Sequence, residues 1–249
     1  MKISIITVAF NAEATIRDTI NSVISQKGVD VEYVVVDGKS KDGTVAIVKE
    51  FEDQIDQFVS EPDKGIYDGM NKGVQMATGD IVGILNSDDF YMNDQVLQKV
   101  VKLFEDSTID GVYADLVYVD AEDTDKITRT WKSGTYEKGA FKKGWMPPHP
   151  TFFVRKEVYD KYGAYSLQLK SAADYEFMLR TIHKHEINVA YLPEVIVKMR
   201  AGGMSNASLK NRLRANQEDQ MAWKMNDLKP SKLTFIRKPL SKVGQFFKK

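Results

Sequence analysis

Two adjacent acids, Asp88 and Asp89, stand just after the apolar run 81–85 and the polar pair Asn86-Ser87. A short apolar run bounded by polar residues reads as a buried strand, and the end of a buried strand is a rigid point from which to present side chains. Carboxylate oxygens held there suit Mg²⁺ or Mn²⁺, which take one or two protein carboxylates and fill the remaining positions with substrate phosphates and water. The chemistry implied is a metal-bridged phosphate ligand. Taken alone, the same pair also fits a solvated turn or the cap of a helix over 94–100. A third acid, Asp174, opens the stretch Ser171-Ala-Ala-Asp-Tyr-Glu-Phe-Met-Leu-Arg180 at an expected helix start. Phe177, Met178 and Ile182 are spaced to face a core, which leaves Asp174 free to point outward and take the proton of an attacking hydroxyl. Its structural alternative is a helix cap that also interacts favourably with the helix dipole. Glu176 is the fallback base.

The elements that must position these acids alternate in the first half. Strands are expected at 3–8, 31–36, 57–59 and 81–85, and amphipathic helices at 13–25, 41–51 and 66–76. Continuous Val/Ile strands separated by such helices imply an α/β fold with a mostly parallel, Rossmann-like sheet covered on both faces. Ligands bind such sheets beyond the carboxyl ends of the strands. The polar clusters at 7–11, 37–42 and 86–89 all fall at those ends and so converge on one crevice. Asp37 can accept a hydrogen bond from a base or sugar there, or simply open an Asp-Gly turn.

Composition narrows the function further. The 249 residues carry 35 Lys+Arg against 35 Asp+Glu, so net charge gives no reason to expect bulk nucleic-acid binding. Absence of cysteine excludes disulfides, thiolate metal sites and a cysteine nucleophile. The apolar start is too short for a signal peptide, and no segment reaches the ~20 apolar residues of a membrane span. A cytoplasmic protein is expected. The turn after the first strand lacks G-x-G-x-x-G, and no G-x-x-x-x-G-K-S/T occurs, which removes dinucleotide-dependent dehydrogenases and P-loop enzymes.

Four segments occur in the order and spacing of a known family: Thr7-Val-Ala-Phe-Asn-Ala-Glu13, Val35-Val-Asp-Gly-Lys-Ser-Lys-Asp-Gly-Thr44, Glu61-Pro-Asp-Lys-Gly-Ile-Tyr-Asp-Gly-Met-Asn-Lys-Gly73 and Gly79-Asp-Ile-Val-Gly-Ile-Leu-Asn-Ser-Asp-Asp89. Over 1–205 the chain resembles the family-2 glycosyltransferases of GT-A fold. The resemblance implies a nucleotide-sugar half at 1–110, an acceptor half at 111–205 and a helical, basic extension at 206–249. It implies that Thr7, Ala9 and Glu13 line the nucleotide pocket and that Asp37 contacts the base, usually uracil. Asp63 and Lys64 approach the nucleotide, with Asn71 and Lys72 on the helix beside it. Asp88 and Asp89 correspond to the metal and ribose motif, with Mg²⁺ or Mn²⁺ as cofactor; Asn86 replaces that motif's usual first Asp, which leaves open which acid meets the cation. Asp174 matches the catalytic base, although Ala173 replaces the first of the family's acidic pair. His149, in the proline-stiffened stretch 144–153, and Trp145 are acceptor-side candidates; each also fits a structural role. Arg200 is a candidate contact to the diphosphate, on a glycine-rich loop at 199–206 able to close over donor.

The tail 232–249 has six basic residues and no acid, with Ile236, Leu240, Val243 and Phe247 at helical spacing. Such a segment can lie on an anionic membrane surface, which would bring the enzyme to a lipid-linked acceptor at the inner face of the cytoplasmic membrane. It equally fits a helix packed on the domain or a frayed end. The expectation is an inverting, metal-dependent transferase that moves a sugar from a nucleoside-diphosphate donor, a UDP-sugar first, to a hydroxyl of a bacterial surface glycan or its lipid-linked precursor. The alternatives are a catalytically silent nucleotide-sugar-binding scaffold module and a sugar nucleotidyltransferase, the latter disfavoured because no phosphate loop follows the first strand.

Overall fold

A computed structural model describes residues 1–202, 209–231 and 234–235. Its centre is one nine-stranded sheet. The strands are β1 (Lys2–Ala9), β2 (Asp30–Asp37), β3 (Gln57–Ser60), β4 (Ile81–Ile84), β5 (Asp89–Tyr91), β6 (Gly111–Val119), β7 (Ile127–Trp131), β8 (Phe153–Arg155) and β9 (Val189–Arg200). Their order is β3-β2-β1-β4-β8-β6-β9-β5, and β7 pairs with β6. The first four strands in that order are parallel. Beyond β4 the sheet is mixed: β8 returns antiparallel between β4 and β6, β9 runs parallel to β6, and β5 is antiparallel to β9. The expected parallel crevice therefore belongs to the first half, and the second half curls around it.

Alternation along β1 sends Ile3 and Ile5 to one face and Ile6 and Val8 to the other. The first face is covered by α1 (Ile16–Ile24), α2 (Thr44–Lys49) and α4 (Val96–Leu103), through Ile16, Ile20, Val23, Val48, Leu97 and Val100. The second face takes α3 (Ile66–Met76), α5 (Lys156–Tyr162), α6 (Ala173–Met178) and α7 (Leu209–Met225). Two glycines let α3 lie unusually close to β1. A Cβ on Gly69 would stand 2.6 Å from Val8 Cγ1, and one on Gly73 would stand 2.3 Å from Ile6 Cγ2. The first turn of α3 is thereby held at the carboxyl edge of the sheet.

The C-terminal helix α7 is packed on the domain. Trp223, buried, donates its indole N–H to the Tyr175 hydroxyl at 2.8 Å, and Glu218 Oε2 accepts from the backbone N–H groups of Lys170 and Ser171 at 3.0 and 2.7 Å. Of the basic stretch 232–249, Thr234 bonds the Lys142 carbonyl at 2.7 Å and Phe235 packs on the core. The rest of that stretch lies outside the described residues, as does 203–206 of the glycine-rich loop. Among the described residues no helix is long and apolar enough to cross a membrane.

Candidate functional site

The carboxyl ends of β1 and β2 are stitched together before any ligand is considered. Glu13 Oε2 accepts from the Gly43 N–H at 2.7 Å, and Asn11, at φ 50°, accepts from the Lys41 N–H at 2.9 Å. Asp37, fully buried at the end of β2, accepts from the Ser40 N–H at 3.0 Å and the Ser60 hydroxyl at 2.6 Å through Oδ2, and from the Ser40 hydroxyl at 2.5 Å through Oδ1. A carboxylate has about four lone-pair sites, so one acceptor position of Asp37 is unused, and a ligand donor reaches it only if one of these neighbours moves, because the residue is fully buried. Gly38 follows and gives its N–H to the Ala9 carbonyl at 2.9 Å. The missing side chain of Gly38 makes a niche: a Cβ there would lie 2.5 Å from Asp63 Oδ2 and 3.4 Å from the Phe10 ring. Ala9, Phe10, Asp37 and Asp63 thus meet at one strand edge.

The loop from Asp63 into α3 is held by its own side chains, with the Gly65 N–H on Asp63 Oδ1 and the Lys64 N–H on Asp68 Oδ2, both at 2.9 Å. Lys64 projects from this loop into solvent. Two other expected nucleotide residues point elsewhere. Asn71 donates to the Tyr165 carbonyl at 2.9 Å and accepts from the Tyr165 N–H at 2.8 Å. Lys72 bonds the Pro62 carbonyl and Glu61, each at 2.9 Å. Both shape the loops around the crevice and are already engaged. Thr7 is also turned inward, fully buried, its hydroxyl accepting from Tyr33 at 3.1 Å. Strand alternation explains this: Thr7 shares the face of Ile3 and Ile5, which α1 covers.

Asp88 and Asp89 differ sharply. Asp89 begins β5 and is 0% exposed; Oδ2 accepts from the Asn86 amide at 2.9 Å, while Oδ1 is buried without a partner among the described residues. Asp88 is partly exposed. Burial raises the carboxyl of Asp88, with Arg200 opposing; burial raises Asp89 well above the usual range, and the charge of Asp88 adds to it. Two acids with less positive charge around them than they need, one with an orphaned oxygen, are a donor set that a divalent cation fits. Among the described residues no group of three or more His, Cys, Asp or Glu could hold a metal, so most of that ion's shell would come from a phosphate ligand and water. Arg200, expected at the diphosphate, lies under this loop: it donates to the Asp88 carbonyl at 2.9 Å, pairs with Asp18 at 2.5 Å and covers the Phe90 ring at 4.9 Å. Thr15 and Thr19 hold the same loop through the carbonyls of Ser87 and Asp89 at 2.8 and 2.7 Å.

From the second half, Asp174 reaches the same edge. Tyr67, in the first turn of α3, donates its hydroxyl to Asp174 Oδ1 at 3.0 Å. Glu176, by contrast, is buried and ion-paired to Arg180 through both oxygens at 2.9 and 3.0 Å, with the Asn226 amide on Oε1 at 2.8 Å. That pairing removes it as a fallback base. His149 is buried one layer behind; its Nε2 meets the Tyr165 hydroxyl at 2.9 Å, and burial lowers its imidazole although Asp174 pulls the other way. Trp145 donates to the Ser133 carbonyl at 2.7 Å and packs against Tyr113, Tyr136 and Phe141 with ring centres 5.1 to 5.5 Å away. The arrangement offers an acidic pair, Asp89 buried and Asp88 partly exposed, at one strand end, an aromatic ring at another, and a separate partly exposed carboxylate from the second half.

Residues 4–163 match the profile of Glycosyl transferase family 2. The chain belongs to that family. Among family-2 glycosyltransferases it is similar to a PGL/p-HBAD biosynthesis glycosyltransferase of Mycobacterium tuberculosis, 28% identical over 210 residues that cover 82% of this chain and 78% of that one. An uncharacterized glycosyltransferase of the same species is 31% identical over 180 residues, covering 72% and 68%. In fold it resembles S. aureus TarS in complex with UDP-GlcNAc, at TM-score 0.68 and 18% identity over 91% of this chain and 65% of that one. It also resembles the mannosyltransferase PcManGT from Pyrobaculum calidifontis in complex with GDP-Man and Mn²⁺, at TM-score 0.67 and 19% identity over 94% and 68%. The fold is thus the GT-A type expected from the motifs, and this family-2 glycosyltransferase is an enzyme of sugar transfer.

One further candidate at this edge carries no periodic signal in the sequence. Phe10 is 60% exposed although it is a large apolar ring, and it stands at the mouth of the crevice beside Gly38. The signal was present, since an aromatic in a polar turn buries nothing and needs another use, but a turn has no periodicity against which to notice it.

Proposed function

We propose that this enzyme transfers one sugar, with inversion, from a nucleoside-diphosphate donor to a hydroxyl of a surface glycan or its lipid-linked precursor. In this reading the base stacks on Phe10 and bonds Asp37, while Asp63 and Lys64 border the nucleotide. Asp88 is the accessible ligand for Mg²⁺ or Mn²⁺, and Asp89 stiffens the loop beneath it. The cation, when bound, supplies positive charge against the leaving diphosphate. Asp174 takes the acceptor proton as the new bond forms, and His149 supports that region from behind. The observation that carries the reading is the placement of Asp174: Tyr67 brings an acid from the second half to the edge where the first half presents its nucleotide loops, while Glu176 is neutralised by Arg180. A single available carboxylate is what one-step displacement with inversion requires. UDP and GDP donors both fit this chemistry, since structural relatives of each kind share the fold. An acceptor linked to lipid fits the basic stretch 232–249, which would meet the inner face of the cytoplasmic membrane.

A thermal-shift titration with UDP, GDP, TDP, CMP and their sugar conjugates, with and without Mn²⁺, tests the donor half. Stabilisation by one nucleotide family, enhanced by Mn²⁺ and lost in Asp88→Ala, is the expected result. Stabilisation by none would overturn it. For the second half, Asp174→Asn should abolish metal-dependent nucleotide release with donor affinity retained; if affinity collapses instead, Asp174 belongs to the nucleotide site.

A further inference from the structure

The hydrogen bond between Tyr67 and Asp174 joins the helix that leaves the donor loop to the helix that carries the acid. Upstream, Asp63 and Asp68 bind the backbone of Gly65 and Lys64, so the turn that delivers Tyr67 is fixed to the donor loop itself. Downstream, Asn71 grips both backbone polar groups of Tyr165, at 2.9 and 2.8 Å. The Tyr165 ring stacks on Tyr67 with centres 5.9 Å apart and planes 25° apart, and its hydroxyl is shared with His149 and Tyr159 at 2.9 Å each. Tyr67 is thus held by its helix, by the stacked ring and by Asp174. Burial raises its phenol well above the ordinary value, and the Asp174 charge raises it further, so the hydroxyl stays protonated and is available as a donor. Among the described residues Asp174 Oδ2 has no hydrogen-bond partner. One oxygen of Asp174 is therefore anchored and the other is open.

We infer that Tyr67 is a positioning residue: by holding Asp174 Oδ1 it aims Oδ2 at the acceptor hydroxyl and links the seating of the donor loop to the alignment of the base. This rests on Asp174 being the base, as proposed above. A misplacement of about 1 Å at a reacting group can reduce the rate about a hundredfold, and loss of one well-made anchor should fall within that range.

The test uses the donor with the largest Mn²⁺-dependent stabilisation and follows nucleoside-diphosphate release to water or a simple alkyl glycoside. Tyr67→Phe keeps the ring and its stack on Tyr165 and loses only the hydroxyl. The inference expects kcat to fall about ten- to a hundredfold, with donor KM and the donor-induced thermal shift within about twofold of wild type. Wild-type kcat in Tyr67→Phe, with Asp174→Asn inactive, would overturn the inference and leave the base assignment standing. Full turnover by Asp174→Asn would overturn both. A rise in donor KM matching the fall in kcat would place Tyr67 in nucleotide binding and also refute the inference. Melting curves of the variants without donor should match wild type within a few degrees; if Tyr67→Phe alone unfolds, Tyr67 serves the core and the inference fails.

Discussion

Glu32 offers a stability measurement whose size follows from its contacts. The carboxylate lies at the start of β2, on the edge opposite the crevice, and is 2% exposed. It accepts from the Ser4 hydroxyl, from the Thr78 N–H at 2.7 Å and hydroxyl at 2.6 Å, from Gln57 at 3.2 Å and from Lys2 at 3.4 Å. Burial pushes its carboxyl up, but the bonds from Ser4 and Thr78, with the charge of Lys2, outweigh that and hold it at about 2 instead of 4.5. The lowered value means that the ionised group stabilises the fold fully above the unfolded value and that this contribution is lost as pH falls from about 4.5 towards about 2. At 1.36 kcal/mol per unit, the contribution at neutral pH is about 3 kcal/mol. Glu32→Gln mimics the protonated acid in size and charge. Urea denaturation of wild type and variant should therefore show a gap of about 3 kcal/mol near pH 7, or roughly 6 to 12 °C in Tm, with less than half of it left at about pH 3. Donor affinity should be unchanged. A gap that stays constant across this range would refute the reasoning, because it would mean that shape and not charge sets the loss.

Further outcomes follow from other contacts. Phe10→Ala should weaken nucleotide binding by about 1 to 3 kcal/mol, the range for a base stacked on an aromatic ring, and leave Tm unchanged because the ring is exposed; equal affinity by calorimetry would remove Phe10 from the site. Gly73→Ala should cost about 1 to 3 kcal/mol of stability by overpacking, since its Cβ would overlap Ile6, and denaturant titration measures this. Glu218→Ala leaves the N–H groups of Lys170 and Ser171 to water, so it should lose about 0.5 to 1.5 kcal/mol of stability, measured by urea denaturation, without changing donor affinity in the thermal-shift assay.

The elements were legible where burial imposes a pattern. The apolar runs of β1, β2 and β4 are covered on both faces, and α3 occupies the same 66–76 span that its periodicity marks. The strand β5 was not legible: three residues carry no period, and Asp89 enters the sheet only because β9 arrives from much later in the chain to pair with it. The site followed the same division. Asp88, Asp89, Asp37 and Asp174 stood out as candidates because acids at element ends are conspicuous. The inward turn of Thr7, the grip of Asn71 on Tyr165 and the position of Arg200 beneath the Asp88 loop depend on contacts between distant segments, which no local spacing encodes. The pairing of Glu176 with Arg180 is an exception, since an i,i+4 acid and base on one helix was readable as an internal pair.

The path of β9 has a consequence for recombining such enzymes. Its last residues supply the strand on which β5 rests and the guanidinium that braces Asp88, so part of the foundation of the Asp88 loop is encoded about a hundred and ten residues after the loop itself. A crossover near residue 110 would join one parent's Asp88 loop to another parent's brace. Exchanging the second half between relatives therefore calls for a graft bounded on both sides, ending before β9, in place of a simple crossover.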